Sequence, residues 1–345
     1  MVTAATLDGH SYQIPITSYQ LHHSRTESAL VPTLQVALAQ ISPVWLNRAA
    51  TTEKVVSMIS QAANQGCQLV TFGEGLLPGY PFWLDPTGGA NFESPIQKDL
   101  FAHYAEQAVV VERGDLDPVC EAAKSATCMV VLGTIERATD RGSHSLYCSL
   151  VTIDQFGEIV SVHRKLMPTY EERLVWSPGD GHGLRTHRLG EFCVGALNCW
   201  ENWMPLARAA MYAQGENVHV ASWPGSTRNT EDITRFIAKE SRSFVLSVSG
   251  QLRRDEIPSS TPHYDLLMEK CPEVMATGGS CIAGPDGEWI VAPAEEKDCL
   301  LTAELELARV FEARQNFDPS GHYSRPDVTQ LRVDRKRRAI AEFEE

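Results

Sequence analysis

Several features common in membrane, secreted and nucleic-acid-binding proteins are missing from this sequence. No apolar run approaches the roughly 18 residues a spanning helix needs; stretches such as Val109-Val110-Val111 are short and interrupted. The first residues (MVTAATLDGHSYQIPITSYQLHHS) have neither a basic start nor an apolar stretch of about 7–15 residues, so no secretory leader is expected. Positive charge is scarce. Thirty Lys and Arg against 44 Asp and Glu leave a formal charge of −14, which repels polyanions and argues against nucleic acid or anionic membrane as partners. Aromatics make up only 8%, yet the 43% hydrophobic share is ordinary for a packed core and excludes a disordered chain. The nine cysteines are scattered, with no C-x-x-C pair. They point to reduced thiols in a cytoplasmic protein, most of them small buried hydrophobes, rather than to a disulfide framework. There is no H-E-x-x-H and no paired Cys/His spacing of zinc type, so no metal is expected. Gly179-Asp180-Gly181-His182-Gly183 does not lie between a strand and a helix and reads as a bend rather than a phosphate loop. No repeat of fixed period is found.

What is present is an α/β alternation. Residues 1–33 mix Ser, Thr, His and Pro without periodicity and read as an N-terminal arm. Residues 34–310 read as one α/β domain. A strand at Leu34–Ile41, a helix over 47–65 and a strand at Gln68–Phe72 form a unit of parallel type. A helix near 115–126 precedes strands at Met129–Ile135, Leu146–Ile153 and 158–163. Strands at Phe192–Asn198, 217–221 and Phe244–Ser249 alternate with helices at 204–213 and 230–242. Cys281–Ala283 and Trp289–Val291 flank a turn, Pro285-Asp286-Gly287-Glu288. Residues 311–345 read as a C-terminal extension, turn-rich at first and then charged, with a basic run at 335–338 suited to a solvated face or a subunit contact.

Three strand ends carry chemistry. Cys199 follows the strand Phe192–Asn198 directly, and Pro205 can start the next helix. A thiol on such an elbow is expected to be exposed beside backbone N–H groups, which favour the thiolate and receive charge developing on a substrate. Glu74 follows the strand Gln68–Phe72 between Gly73 and Gly75, and Lys165 follows strand 158–163. Glu172, seven residues after Lys165, can fold back onto the ammonium. Each residue separately is an ordinary strand end. Together, in one sheet, they suggest a site at the carboxyl ends of strands. No histidine, including His182, His187 and His219, has a local motif tying it to Cys199. Gly79-Tyr80-Pro81-Phe82-Trp83 is aromatic enough to line a pocket and equally able to be a packed loop.

Over about 34–330 the chain resembles the nitrilase superfamily of carbon–nitrogen hydrolases, in its true nitrilase branch. Three ordered motifs carry the resemblance: Phe72-Gly-Glu74, His163-Arg-Lys165-Leu-Met-Pro-Thr169 with Glu172-Arg173 and Trp176, and Cys199-Trp-Glu-Asn202. Gly321-His322-Tyr323-Ser-Arg-Pro326 is similar to the family's C-terminal element. The resemblance implies a four-layer α–β–β–α sandwich and a catalytic set of Glu74, Lys165, Cys199 and Glu172. Trp200, Tyr80, Glu201 and Asn202 are then expected at the substrate. The implied reaction is hydrolysis of a nitrile to carboxylate and ammonia through a thioimidate, without metal or organic cofactor. Amide or carbamoyl hydrolysis, nitrile hydration and cyanide consumption are the alternatives with the same residues, and a silent assembly protein is the alternative outside enzymes. Cyanide-consuming relatives more often carry His where Asn202 stands. The resemblance also implies a homo-oligomer of dimers that stack into spirals, with His322 supporting the site across an interface. The helix bearing Met204, Leu206, Ala209 and Ala210 is either a contact face or core. In one respect the chain departs from the family, which usually has Pro where this chain has Gly73, and that frees the backbone before Glu74.

Overall fold

The computed structural model describes residues 31–295, 298–337, 340–341 and 344, so the expected arm lies, except for its last residues, outside the described ones. The chain from Pro32 onward forms one compact unit. It opens with β1 (Thr33–Gln40), α1 (Arg48–Asn64), β2 (Leu69–Phe72), α2 (Pro95–Gln107) and α3 (Asp117–Ala126). Next come β3 (Met129–Arg137), β4 (Leu146–Ile153), β5 (Ile159–Arg164), β6 (Thr186–Leu189) and β7 (Phe192–Asn198). After these run α4 (Pro205–Tyr212), β8 (Val218–Trp223), α5 (Thr227–Ser241), β9 (Phe244–Ser249) and β10 (Gln251–Arg253). The last elements are α6 (Tyr264–Lys270), β11 (Val274–Thr277), β12 (Ser280–Ala283), β13 (Trp289–Ala294), β14 (Cys299–Glu306) and α7 (Leu307–Asn316). β1 and β2 are parallel, as the strand–helix–strand reading required. The boundary expected at 310 falls inside α7.

Two six-stranded sheets face each other, ordered β14-β1-β2-β3-β4-β5 and β13-β12-β9-β8-β7-β6. Period-two alternation builds the layers. Leu34, Val36 and Leu38 of β1 join Leu69, Met129 and Val131 on the inner face of the first sheet. There they meet Phe192, Val194, Val218, Val220, Phe244 and Leu246 of the second. The intervening residues Ala37, Ala39, Val70, Phe72, Val130 and Leu132 point outward, under Val55 and Ile59 of α1 and Val119 and Ala123 of α3. On the far side, Ile233, Ile237 and Ala238 of α5 cover Ala221, Trp223 and Val245. Ala207, Ala210 and Met211 of α4 cover Leu197. The result is the four-layer sandwich that the resemblance implied.

One crossing positions everything that follows. Beyond β2 the segment Gly73–Gly75 passes over the inner face of β3 at Gly133. A β-carbon on Gly133 would lie 2.7 Å from the Gly75 nitrogen and 2.8 Å from Glu74 Cα, and would run into the Gly73 carbonyl oxygen. The crossing chain then pairs with β3, Leu77 donating to the Gly133 carbonyl at 3.1 Å. On its other side the Glu74 N–H donates to the Trp223 carbonyl at 3.0 Å, at the end of β8 in the opposite sheet. Gly73 does not loosen this stretch. A side chain there would meet the Gly250 nitrogen at 2.7 Å, so glycine is present because two backbones touch.

Because overpacking a filled site costs about 1–3 kcal/mol, Gly133→Ala is expected to lower the unfolding free energy by at least that amount. Denaturant titration measures it, and an unchanged midpoint would mean that the crossing has slack.

Candidate active site

The sequence suggested that the three strand ends carrying chemistry lie in one sheet, and they do not. Glu74 and Lys165 belong to the first sheet and Cys199 to the second, so the site is built between the two inner faces. β5 pairs with β4 so that His163 lies opposite Leu150, an inner residue. Alternation therefore turns His163 and Lys165 inward and Arg164 outward, where Glu136 and Asp140 hold its guanidinium at 2.6 Å each. The same parity turns Cys148 of β4 inward.

Glu74, Lys165, Glu172 and Cys199 are 2%, 1%, 1% and 3% exposed, respectively. The Lys165 ammonium bridges Glu74 Oε1 at 2.8 Å and Glu172 Oε2 at 2.6 Å, with the Trp176 indole 5.7 Å away. Glu172 is fixed in turn. Its Oε2 accepts the Thr169 N–H at 2.6 Å and its Oε1 accepts the Tyr80 hydroxyl at 2.8 Å. Tyr80 packs edge-on against Trp176 with centroids 5.4 Å apart. A carboxylate oxygen of Glu74, one of Glu172 and the Cys199 sulfur lie within 4.8 Å of one another. Such a trio has the donor set of a cation site, and the cation present is Lys165.

Burial sets the protonation states. Desolvation pushes the Glu74 carboxyl up to about 7, against the pull of Lys165. For Lys165, desolvation alone would favour the neutral amine, but the negative charge of Glu74, Cys199 and Glu172 outweighs it and holds the group well above its ordinary value. Burial and the neighbouring Glu74 raise the Cys199 thiol well above its ordinary value, even though Lys165 and the Trp200 N–H act in the other direction. This corrects the expectation of an exposed, thiolate-favouring elbow: Cys199 lies under α5, and the resting group is a thiol. Glu74 Oε2 is buried and has no hydrogen-bond partner among the described residues, the oxygen left free to take a proton.

Glu201 and Asn202, expected at the substrate, serve the backbone behind Cys199. Glu201 Oε1 accepts the Leu166 N–H at 2.6 Å and its Oε2 the Asn198 N–H at 2.9 Å, while His163 Nε2 stands 3.1 and 3.0 Å from the two oxygens. Both oxygens are thus spent, and one carboxylate fastens the residues flanking Lys165 to those flanking Cys199. Burial opposes its ionisation, but His163 and the two N–H groups hold it below the usual carboxylate range. Asn202 donates to the carbonyls of Leu197 and Cys199 at 3.2 and 2.9 Å. The Trp200 side chain is half exposed, and only its backbone N–H faces the thiol. Trp83 is core, tilted against Trp45 and edge-on to Tyr104. His322 lies edge-on to Tyr323, with ring centroids 5.3 Å apart.

The sequence reading missed Cys148, whose thiol donates to Glu74 Oε1 at 3.5 Å, and Glu216, which is treated below. The alternation of β4 placed Cys148 on the inner face, but only the crossing at Gly133 brings Glu74 to it.

The carbon–nitrogen hydrolase family model matches residues 35–315. The chain belongs to the carbon–nitrogen hydrolase family. A protein named Nitrilase 2 from an unknown prokaryotic organism is 36% identical over 89% of this chain and 95% of its own length. An aliphatic nitrilase of Rhodococcus rhodochrous is 34% identical over 88% of this chain and 83% of its own. These relatives place the chain in the nitrilase branch. Among solved structures, a carbon–nitrogen hydrolase from Helicobacter pylori superposes with a TM-score of 0.64 at 20% identity, covering 86% of this chain and 97% of that one. An amidase from Nesterenkonia sp. gives 0.60 at 17%, covering 84% and 97%. At such identities the two likenesses concern the fold.

Alkylation of Cys199 by iodoacetamide should rise with pH around a midpoint of about 7, because Glu74 must be ionised to accept the thiol proton. Cys148→Ala, which removes a donor to Glu74, should move that midpoint up, and Cys148→Ser, a stronger donor, should move it down. Peptide mapping of the adduct against pH tests both shifts, and coincident profiles would contradict them.

Proposed function

We propose that this hydrolase converts an organic nitrile to its carboxylic acid and ammonia. The observation that carries the reading is the cluster of thiol and two carboxylates within 4.8 Å around one buried ammonium, with a single carboxylate oxygen free. Relatives named nitrilases, at 33–36% identity over most of the chain, support a nitrile over an amide.

Glu74 Oε2 takes the Cys199 proton as Sγ bonds to the nitrile carbon, and that proton passes to the nitrogen to give a thioimidate. Lys165 and the Trp200 N–H stabilise the negative charge that develops on nitrogen and later on oxygen. Water adds to the thioimidate carbon as Glu74 accepts its proton. The C–N bond then breaks: ammonia leaves with both protons of that water, the one relayed by Glu74 and the one given up by the new hydroxyl as it becomes a carbonyl, and an acyl-thioester remains. A second water, activated in the same way, releases the carboxylate and restores the thiol. Glu172 holds Lys165 protonated and in place, itself held by Thr169 and Tyr80. Tyr80 and Trp176 form an aromatic wall suited to an aliphatic or arylaliphatic chain. The chemistry proposed uses side chains alone.

Two coarser assignments belong with this reading. Cys67, Cys128, Cys148 and Cys199 are buried free thiols, which suits a reducing compartment such as the cytoplasm, and among the described residues no helix is long and apolar enough to cross a membrane. The contact helix divides in two: Ala210 and Met211 are core, whereas Trp203, Met204 and Leu206 are 44%, 37% and 68% exposed, with Phe236 of α5 at 50%. That apolar face is the proposed dimer contact of a homo-oligomer, from which spiral stacking and contacts by residues 311–345 would extend.

Cys199→Ala should abolish ammonia release from every nitrile tested. Lys165→Met should lower kcat at least about a hundredfold, the usual loss when one preorganised stabilising donor goes. Wild-type protein mixed with substrate should show a covalent adduct on Cys199 by intact mass. A matched nitrile and amide, compared by product, decide the substrate class: turnover of the amide alone would overturn the nitrile assignment. Leu206→Glu should shift the mass in solution toward a single chain by light scattering, and an unchanged mass would place the contact elsewhere.

A further inference from the structure

Behind the nucleophile lies a second buried polar cluster to which the proposed reaction assigns no step. Cys199 has φ +45°, a left-handed conformation that is strained for a non-glycine residue and persists only when its surroundings enforce it. Asn202 supplies part of that enforcement through its bonds to the Leu197 and Cys199 carbonyls. Two carbonyls can only accept, so the Asn202 amide nitrogen must face them and its Oδ1 must face away. Oδ1 lies 2.8 Å from His219 Nε2, which must therefore carry a hydrogen. The other ring nitrogen, Nδ1, lies 2.9 Å from Glu216 Oε1. With Nε2 protonated, a bare Nδ1 against an ionised Glu216 would set two lone pairs face to face. One proton must therefore sit between Nδ1 and Oε1, whichever atom holds it.

The cavity for this pair is built into the sheet. Gly195 of β7 lies opposite His219 of β8, and a β-carbon on Gly195 would run into Glu216 Oε1. Glu216, His219 and Asn202 are fully buried, and Arg208 fixes the Asn202 carbonyl at 2.8 Å while its guanidinium pairs with Glu240 at 2.7 Å.

We infer that Glu216, His219 and Asn202 form a buried relay of positioning residues, in which the proton shared by Glu216 and His219 fixes the Asn202 amide and, through it, the Cys199 elbow and the aim of its thiol. None of the three touches substrate. The inference deepens the proposed reaction and rests on Cys199 as its nucleophile.

Two readouts separate the relay from that reading: ammonia release from a nitrile, and the rate of Cys199 alkylation, which needs no nitrile. His219→Leu should reduce both about tenfold or more while KM changes less than about twofold, the signature of a misaimed nucleophile rather than lost binding. Glu216→Leu should behave alike. Glu216→Gln should restore most of the loss, because its carboxamide N–H can donate to Nδ1 of a neutral imidazole with Nε2–H retained. A folded His219→Leu that alkylates at the wild-type rate, or Glu216→Gln and Glu216→Leu equally impaired, overturns the relay. If ammonia release fails in wild type while the alkylation differences hold, the nitrile reading falls and the relay stands. Should the variants not fold, isotope-labelled histidine NMR on the wild-type protein decides: protonated His219 Nε2 supports the relay, and a bare Nε2 overturns it.

Discussion

A single ammonium buried between two carboxylates is the constraint to which the rest of the architecture answers. Desolvation alone would favour the neutral forms of both Lys165 and Glu74, and each is drawn back toward its charged form by the other. The three groups depend on one another, so every element that delivers one must deliver it accurately. This explains the density of backbone bonds around the site. Thr169 fixes Glu172, Trp223 fixes Glu74 and Glu201 fixes the backbone on either side of both Lys165 and Cys199.

The two-sheet arrangement meets that demand by division of labour. The first sheet supplies the base Glu74, the ammonium of Lys165 and its tether Glu172, the second supplies the thiol, and the apolar inner layer between them sets their separation. Glycine at 133 lets the Glu74 segment ride over β3, and glycine at 195 makes room for Glu216 beneath the Cys199 turn. Neither carries chemistry, and both act by leaving space.

The sequence made much of this legible where periodicity was strong. β4, β7 and β9 fall on the expected residues, and most of the remaining strand and helix ends shift by a few residues. It failed where pairing partners are distant. β14 runs against β1 across most of the chain, β6 is a short edge strand, and α2, with its small apolar face of Leu100 and Tyr104, lacks a marked period. The site residues were legible as strand ends, and family motifs supplied their roles. Neither revealed that the strands belong to opposing sheets, because alternation gives the face of a strand and not which face lies opposite. The exposed elbow was misjudged for a related reason. A turn at the end of a strand is a surface feature only until a helix is laid over it, and α5 covers this one.

The charge count of the buried cluster has a further meaning for traffic through it. Two carboxyl groups, Glu74 and Glu172, share the single ammonium of Lys165, so acidic groups are in excess in the enclosure. A nitrile is neutral and pays no electrostatic toll on entry. The proposed product is a carboxylate, a third acidic group beside a lysine already shared by two. The site would thus make a molecule that it is built to repel, so that departure of the acid is driven by the same charges that position the nucleophile.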